Sequence, residues 1–173
     1  KSKIANFLLT AMDIKEKGYR LNVGIIVANS DGRLLYCKRK NSDNWQFPQG
    51  GIDKNEDTFL AAVRELYEEV GIAENKIKLI KESDSWYKYD LPRKYKRNSF
   101  LWKDFKGQKQ KWFLFKLIEE TKIDLNNENN PEFDQFDWVE YWKPLDEVVE
   151  FKREIYEKVL TELEPAYKLE FSR

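Results

Sequence analysis

Apolar positions change period several times along the chain, and the changes mark out its elements. NVGIIVAN, then Asp31-Gly32, then RLLYCKR read as two strands around a turn, since β-rich runs split by an Asp-Gly step close as hairpins. KLIKESDSWYKYDLP predicts one more strand, KWFLFKLI another, and FDWVEYW a third with alternating burial. Between the hairpin and these strands the period lengthens to that of a helix. At about 100° per residue, Phe59, Leu60, Val63, Leu66, Tyr67 and Val70 share one arc, and Glu65, Glu68 and Glu69 share the opposite one. This predicts a core face and a carboxylate face. Only Ala61 and Ala62 join the acidic arc, so nothing bulky blocks access to the glutamates. Asp57 and Thr58 offer N-cap chemistry, and Gly71 supplies the positive φ that ends a helix. After Pro144, DEVVEFKREIYEKVLTEL has helical spacing, with Val148, Phe151, Ile155, Val159 and Leu163 as a buried stripe. Together these elements predict an α/β protein with a mixed sheet between helices.

At 173 residues the chain suits one core rather than two. Residues 1–17 carry a basic flank and a short apolar run broken by Asn6 and Thr10, which reads as a peripheral N-terminal helix or extension rather than a secretory signal. The domain is expected over residues 18–164, with a C-terminal tail at 165–173 and a polar loop at 124–132.

Composition narrows the chemistry. With 31 basic and 31 acidic side chains the net charge is zero, so affinity for polyanions must come from segregated charge. There is no histidine, which removes His-based triads, His general bases and His-ligated zinc. The single cysteine, Cys37, excludes an intramolecular disulfide and sits where a buried structural thiol is expected. No stretch approaches the roughly 20 apolar residues of a membrane span, so a soluble protein without a membrane partner is expected. Aromatic content is 15%, with six tryptophans, most of them expected in the core. Charge does segregate between Leu91 and Lys111: Arg93, Lys94, Lys96, Arg97, Lys103, Lys106, Lys109 and Lys111 stand against Asp104, interleaved with Tyr95, Phe100, Trp102 and Phe105. That pattern suits phosphate contacts with stacking on bases, and equally a solvated loop.

Three glutamates one turn apart repel each other in water, and hard oxygen donors at that density suit Mg²⁺ or Mn²⁺ held together with substrate phosphates. The stretch GGIDKNEDTFLAAVRELYEEVGI, residues 50–72, sets Gly50, Glu56, Arg64, Glu65, Leu66, Glu68, Glu69, Gly71 and Ile72 at fixed spacings. It resembles the Nudix box, the loop-helix-loop signature of the Nudix hydrolases. The resemblance implies the Nudix fold, an α/β/α sandwich, and cleavage of phosphoanhydrides with Mg²⁺, with Mn²⁺ or another divalent cation as a substitute. It implies metal contacts from Glu65, Glu68, Glu69 and Gly50, with Arg64 paired to Glu56 as a brace.

GYRLNVGI, WQFPQGG, GQKQKWF, PEFDQFDWVEYW and VVEFKREIY resemble one branch of that family, the RNA 5′-pyrophosphohydrolases and bacterial dinucleoside polyphosphate hydrolases. This implies conversion of 5′-triphosphate RNA to 5′-monophosphate RNA, with hydrolysis of diadenosine tetraphosphate as the alternative activity. A catalytically silent nucleotide- or RNA-binding module is the alternative of another class. The branch adds Glu132 to the metal set, and leaves Glu68, Glu69 and Glu132 as candidates for the general base. It places Gln108, Lys109 and Lys111 against the phosphates, Arg20, Arg39 and Lys152 at the rim, and Phe151 under a base. Lys38 is a further implied substrate contact, standing where relatives often carry arginine and so losing planar stacking. A cytoplasmic enzyme is expected, with RNA or dinucleoside polyphosphate as its partner and not DNA.

Overall fold

The computed structural model describes residues 15–16, 18–96 and 105–172. The expected hairpin forms from β2 (Tyr19–Ala28) and β3 (Leu34–Arg39), which run antiparallel. Its turn is closed by Asn29, whose side-chain oxygen accepts from the backbone N–H groups of Asp31 and Arg33. A two-residue strand, β1 (Lys15–Glu16), pairs with the start of β2. The rest of the expected extension at 1–17 lies outside the described residues, as does the 97–104 portion of the basic stretch.

Two short strands, β4 (Trp45–Gln46) and β5 (Gln49–Gly51), lead out of the hairpin and pair with β3 and β2. KLIKESDSWYKYDLP, expected as one strand, is two: β6 (Ile77–Glu82) and β7 (Tyr87–Asp90). The polar run between them breaks the ladder. The Ser83 hydroxyl donates to the Ser85 carbonyl and accepts from the Trp112 N–H, so the corner's polar groups are paired without a continuous strand. Both pair antiparallel with β8 (Gly107–Leu117). β8 itself runs parallel to β2 from Tyr19↔Gly107 to Ala28↔Lys116, which makes the sheet mixed. β9 (Phe133–Val139) completes the other side against β3.

The helices are α1 (Thr58–Val70), the short α2 (Arg93–Lys96) and α3 (Pro144–Glu147), and the long α4 (Glu150–Phe171). Alternation along the central strands feeds two cores. Val23, Ile25, Val27, Phe113 and Phe115 pack under α1, while Ile26, Trp112 and Leu114 pack under α4. The sheet is therefore sandwiched between helices, as expected. Gly24 makes room for the indole of Trp112, its partner across the β2–β8 pairing, since a β-carbon there would overlap that ring.

Three expectations change. Leu60 and Tyr67, on the core arc of α1 by period, are about half exposed, 53% and 50%. Ala61 and Ala62 are fully buried instead. The helix is rolled so that its small residues, rather than an open acidic face, meet the protein, and their size lets its backbone seat closely. Residues 165–173, expected as a tail, continue α4 as far as Phe171, through Pro165. The Tyr167 hydroxyl donates to the Gly32 carbonyl, and its ring packs between Tyr141 and Phe171. Of the expected stripe, Ile155, Val159 and Leu163 are buried on α4, whereas Val148 is buried just ahead of it as the C-cap of α3. Cys37 is fully buried and burial pushes its thiol pKa up, which suits a structural role. Among the described residues no helix is long and apolar enough to cross a membrane.

Candidate active site

The site begins where β5 hands over to α1. Asp57 caps the helix in extended conformation, its carboxylate accepting from the N–H groups of Phe59 and Leu60, and Gly71 closes it with φ 73°. The loop between strand and helix is braced by Arg64. Its Nε donates to Glu56 Oε1 at 2.7 Å, and Nη2 donates to Glu56 Oε2 at 2.9 Å and to the Gly51 carbonyl at 2.8 Å. Glu56 in turn accepts from the Asp53 N–H, and the arginine beside it holds its carboxyl below the usual range. The remaining nitrogen, Nη1, reaches Glu65 at 2.9 Å and Glu68 at 3.1 Å.

Glu69 turns inward. Its Oε2 accepts from the backbone N–H of Gln49 at 3.0 Å, and only 6% of the residue is exposed. Burial, with the charges of Glu132 and Glu65 added, drives its pKa well above the carboxylate range. Burial also pushes Glu65 up to about 7, with Arg64 opposing and Glu68 and Glu132 reinforcing. Glu132 arrives from the loop before β9, tied by its carbonyl to the Lys40 N–H. Arg39 Nη1 lies 4.0 Å from its carboxylate.

These groups border a cavity of about 570 Å³. Gly50, Glu65, Glu132, Arg20, Arg39, Gln108, Phe151 and Lys152 all line it, so eight residues singled out from sequence share one space. Glu68 and Glu69 stand beside Glu65 on the helix, outside the cavity lining. Lys152, expected at the rim, is buried in the floor, where its ammonium donates to Gln46 Oε1 at 3.0 Å and Gln49 Oε1 at 3.2 Å. Burial, helped by the Arg39 charge, brings its pKa down to about 7.

Three expected substrate contacts lie elsewhere. Lys38 pairs with Asp134 at 3.8 Å and is not part of the lining. Lys111 pairs with Glu82, and Lys109 lies over the Trp86 ring. Strand parity explains this. Along GQKQKWF, Gln108 and Gln110 share the face of buried Trp112, and the two lysines take the opposite face. That parity also marks residues the sequence reading passed over. Gln110 donates to Asn22 at 2.8 Å and to Gln49 at 3.3 Å, while Tyr89 donates to Gln108. The result is a buried amide network beneath the cavity.

Comparison with known proteins bears on this arrangement directly. Residues 18–159 match the NUDIX domain. The chain belongs to the Nudix family. This Nudix hydrolase is 46% identical over 146 residues to the RNA pyrophosphohydrolase of Actinobacillus pleuropneumoniae serotype 3 (strain JL03), covering 84% of this chain and 71% of that one. It is 47% identical over 150 residues to the RNA pyrophosphohydrolase of Vibrio vulnificus (strain YJ016), covering 84% of each. With that of Psychrobacter sp. (strain PRwf-1) it shares 47% over 151 residues, covering 87% of each. Among solved structures, E. coli dihydroneopterin triphosphate pyrophosphohydrolase shares the fold at TM-score 0.66 and 20% identity, covering 84% of this chain and 99% of that one.

Nudix hydrolases use divalent cations, and the residues here fit one by donor chemistry. Glu65, Glu68, Glu69, Glu132 and the Gly50 carbonyl are hard oxygen donors. Burial, with nearby carboxylate charge added, raises the pKa values of Glu65 and Glu69, and a cation held among them would offset that cost. Among the described residues no three carboxylates are gathered closely enough to enclose an ion, because Arg64 bridges Glu65 and Glu68 while Glu69 is turned to Gln49.

Proposed function

We propose that this Nudix hydrolase is a cytoplasmic RNA 5′-pyrophosphohydrolase that converts 5′-triphosphate ends to 5′-monophosphate ends, with Mg²⁺ as the resident cation and Mn²⁺ as a substitute. One observation carries the reading. Glu65 and Glu132, two of the clustered carboxylates, open into the same cavity as Phe151, Arg20 and Arg39, in a chain whose relatives named RNA pyrophosphohydrolase align over most of its length.

Glu65, Glu68, Glu69, Glu132 and the Gly50 carbonyl would hold the cations, which supply charge neutralisation on the phosphate oxygens and an activated water. Arg20, whose guanidinium lies against Gly51, and Arg39, beside Glu132, offer their charge to phosphate oxygens within the cavity. Phe151 presents its ring to the first bases of the RNA. Proton removal from the attacking water falls to the carboxylates Glu68, Glu69 and Glu132. Lys152 acts from below, holding the Gln49 side chain whose backbone N–H fixes Glu69. Four closely placed glutamates serve no evident purpose in a silent binding module, so hydrolysis is favoured.

The test follows the 5′ end itself. With Mg²⁺, triphosphorylated RNA should become monophosphorylated, and Glu69→Gln should abolish most of that turnover while the protein stays folded. RNA that is bound and returned unchanged with either cation would instead establish the binding module.

A further inference from the structure

The cavity wall that carries Phe151 continues outward to the surface. The Tyr89 ring centroid lies 5.7 Å from that of Phe151, and the Tyr95 centroid lies 5.1 Å from it. Tyr89 is buried, Phe151 is half-buried and Tyr95 is 37% exposed, so the rings form a series from floor to solvent. Tyr95 is on α2 and lines the cavity mouth, yet belongs to neither buried core. Its neighbours on that short helix are Arg93, Lys94 and Lys96, and the Lys94 ammonium stands 5.0 Å over its ring.

An exposed ring at the end of an aromatic series, set among cations, matches what a single-stranded nucleic acid offers: a flat base followed by a phosphate. We propose that Tyr95 is the stacking platform for the nucleotide that follows the one held in the cavity, and so selects RNA over free nucleoside triphosphates. The inference rests on the RNA reading above. A nucleoside triphosphate can fill the cavity but has no second base to lay on Tyr95. The charge around the ring favours RNA over an apolar partner, since each added nucleotide brings a phosphate to the lysine and arginine side chains of α2.

The experiment compares the wild type, Tyr95→Ser and Tyr95→Trp on two substrates, a nucleoside triphosphate and a triphosphorylated RNA of about five nucleotides. Loss of one base stack should lower the ratio of kcat/KM for RNA to that for the nucleotide about tenfold in Tyr95→Ser, through KM for RNA. Tyr95→Trp should restore the ratio, which a merely structural role would not predict. Equal KM increases for both substrates would overturn the proposal by showing that Tyr95 only props Phe151, and so would an unchanged ratio. Wild-type protein that hydrolyses the nucleotide but not the RNA would overturn the RNA reading and this inference with it. RNA hydrolysis that is indifferent to Tyr95 would sink the inference alone.

Discussion

Gly50 leaves open the space that the Glu65 carboxyl group fills. A β-carbon at Gly50 would fall inside the Glu65 carboxyl group. The strand end and the helix thus meet face to face, and the backbone beside Gly50 is held at the carboxylate cluster. Gly50→Ala must displace either the loop or Glu65. A shift of the order of 1 Å in such a centre costs about a hundredfold in rate. We therefore expect kcat for triphosphorylated RNA to fall about that much, with circular dichroism unchanged.

Arg64 joins loop to helix through Glu56, Glu65, Glu68 and the Gly51 carbonyl. Its side chain is 28% exposed and that of Glu56 is 15% exposed, so solvent screens the pair only in part. Arg64→Ala should lower stability by about 2 kcal/mol, read from urea unfolding. Arg64→Lys should recover less than half of this, because a single ammonium cannot span the acceptors of a planar fork.

Glu65 gives the cation-free protein an acid-side pH dependence. A carboxyl raised from 4.5 to about 7 on folding binds more protons folded than unfolded between those values. Stability therefore falls as pH rises through that window, and the full penalty remains above it. Glu69 acts with the same sign. In chelator, the unfolding midpoint should be higher at about pH 5.5 than at about pH 7.5, and Glu65→Gln should flatten the difference. Saturating Mg²⁺ should reverse the trend, since its binding requires deprotonated ligands.

Lys152 works in the opposite sense. Its pKa falls from 10.5 to about 7 on folding, so the unfolded chain binds more protons between those values and stability rises with pH. The useful range is about pH 7 to 8, below the point where the unfolded Cys37 thiol titrates. Urea unfolding should show a slope of at most about 1.4 kcal/mol per pH unit from this group. Lys152→Met should remove it; a slope retained in that variant would mean that Lys152 is not buried in the folded protein.

The hairpin, the capped helix and the glutamate spacing were legible because each is local. The ends of α1 are written in Asp57 and Gly71, and the Arg64–Glu56 brace spans one loop. What sequence did not reveal depends on packing between distant elements. The roll of α1 is set by the packing of Ala61 and Ala62 into the core under the helix, so period alone marks Leu60 and Tyr67 as core residues. Lysines beside a site look like phosphate contacts until strand parity turns Lys109 and Lys111 to the other face. Lys152 carries a rim residue's charge, and only the meeting of α4 with Gln46 and Gln49 shows it to be a buried support.

The most direct measurement is a competition between triphosphorylated short RNA and diadenosine tetraphosphate, at equal concentrations with Mg²⁺, reading kcat/KM for each. A preference for RNA that weakens at high salt, as phosphate contacts are screened, is the predicted result. A preference for the dinucleotide, or release of phosphate from neither, would contradict the assignment of RNA 5′ ends as the substrate.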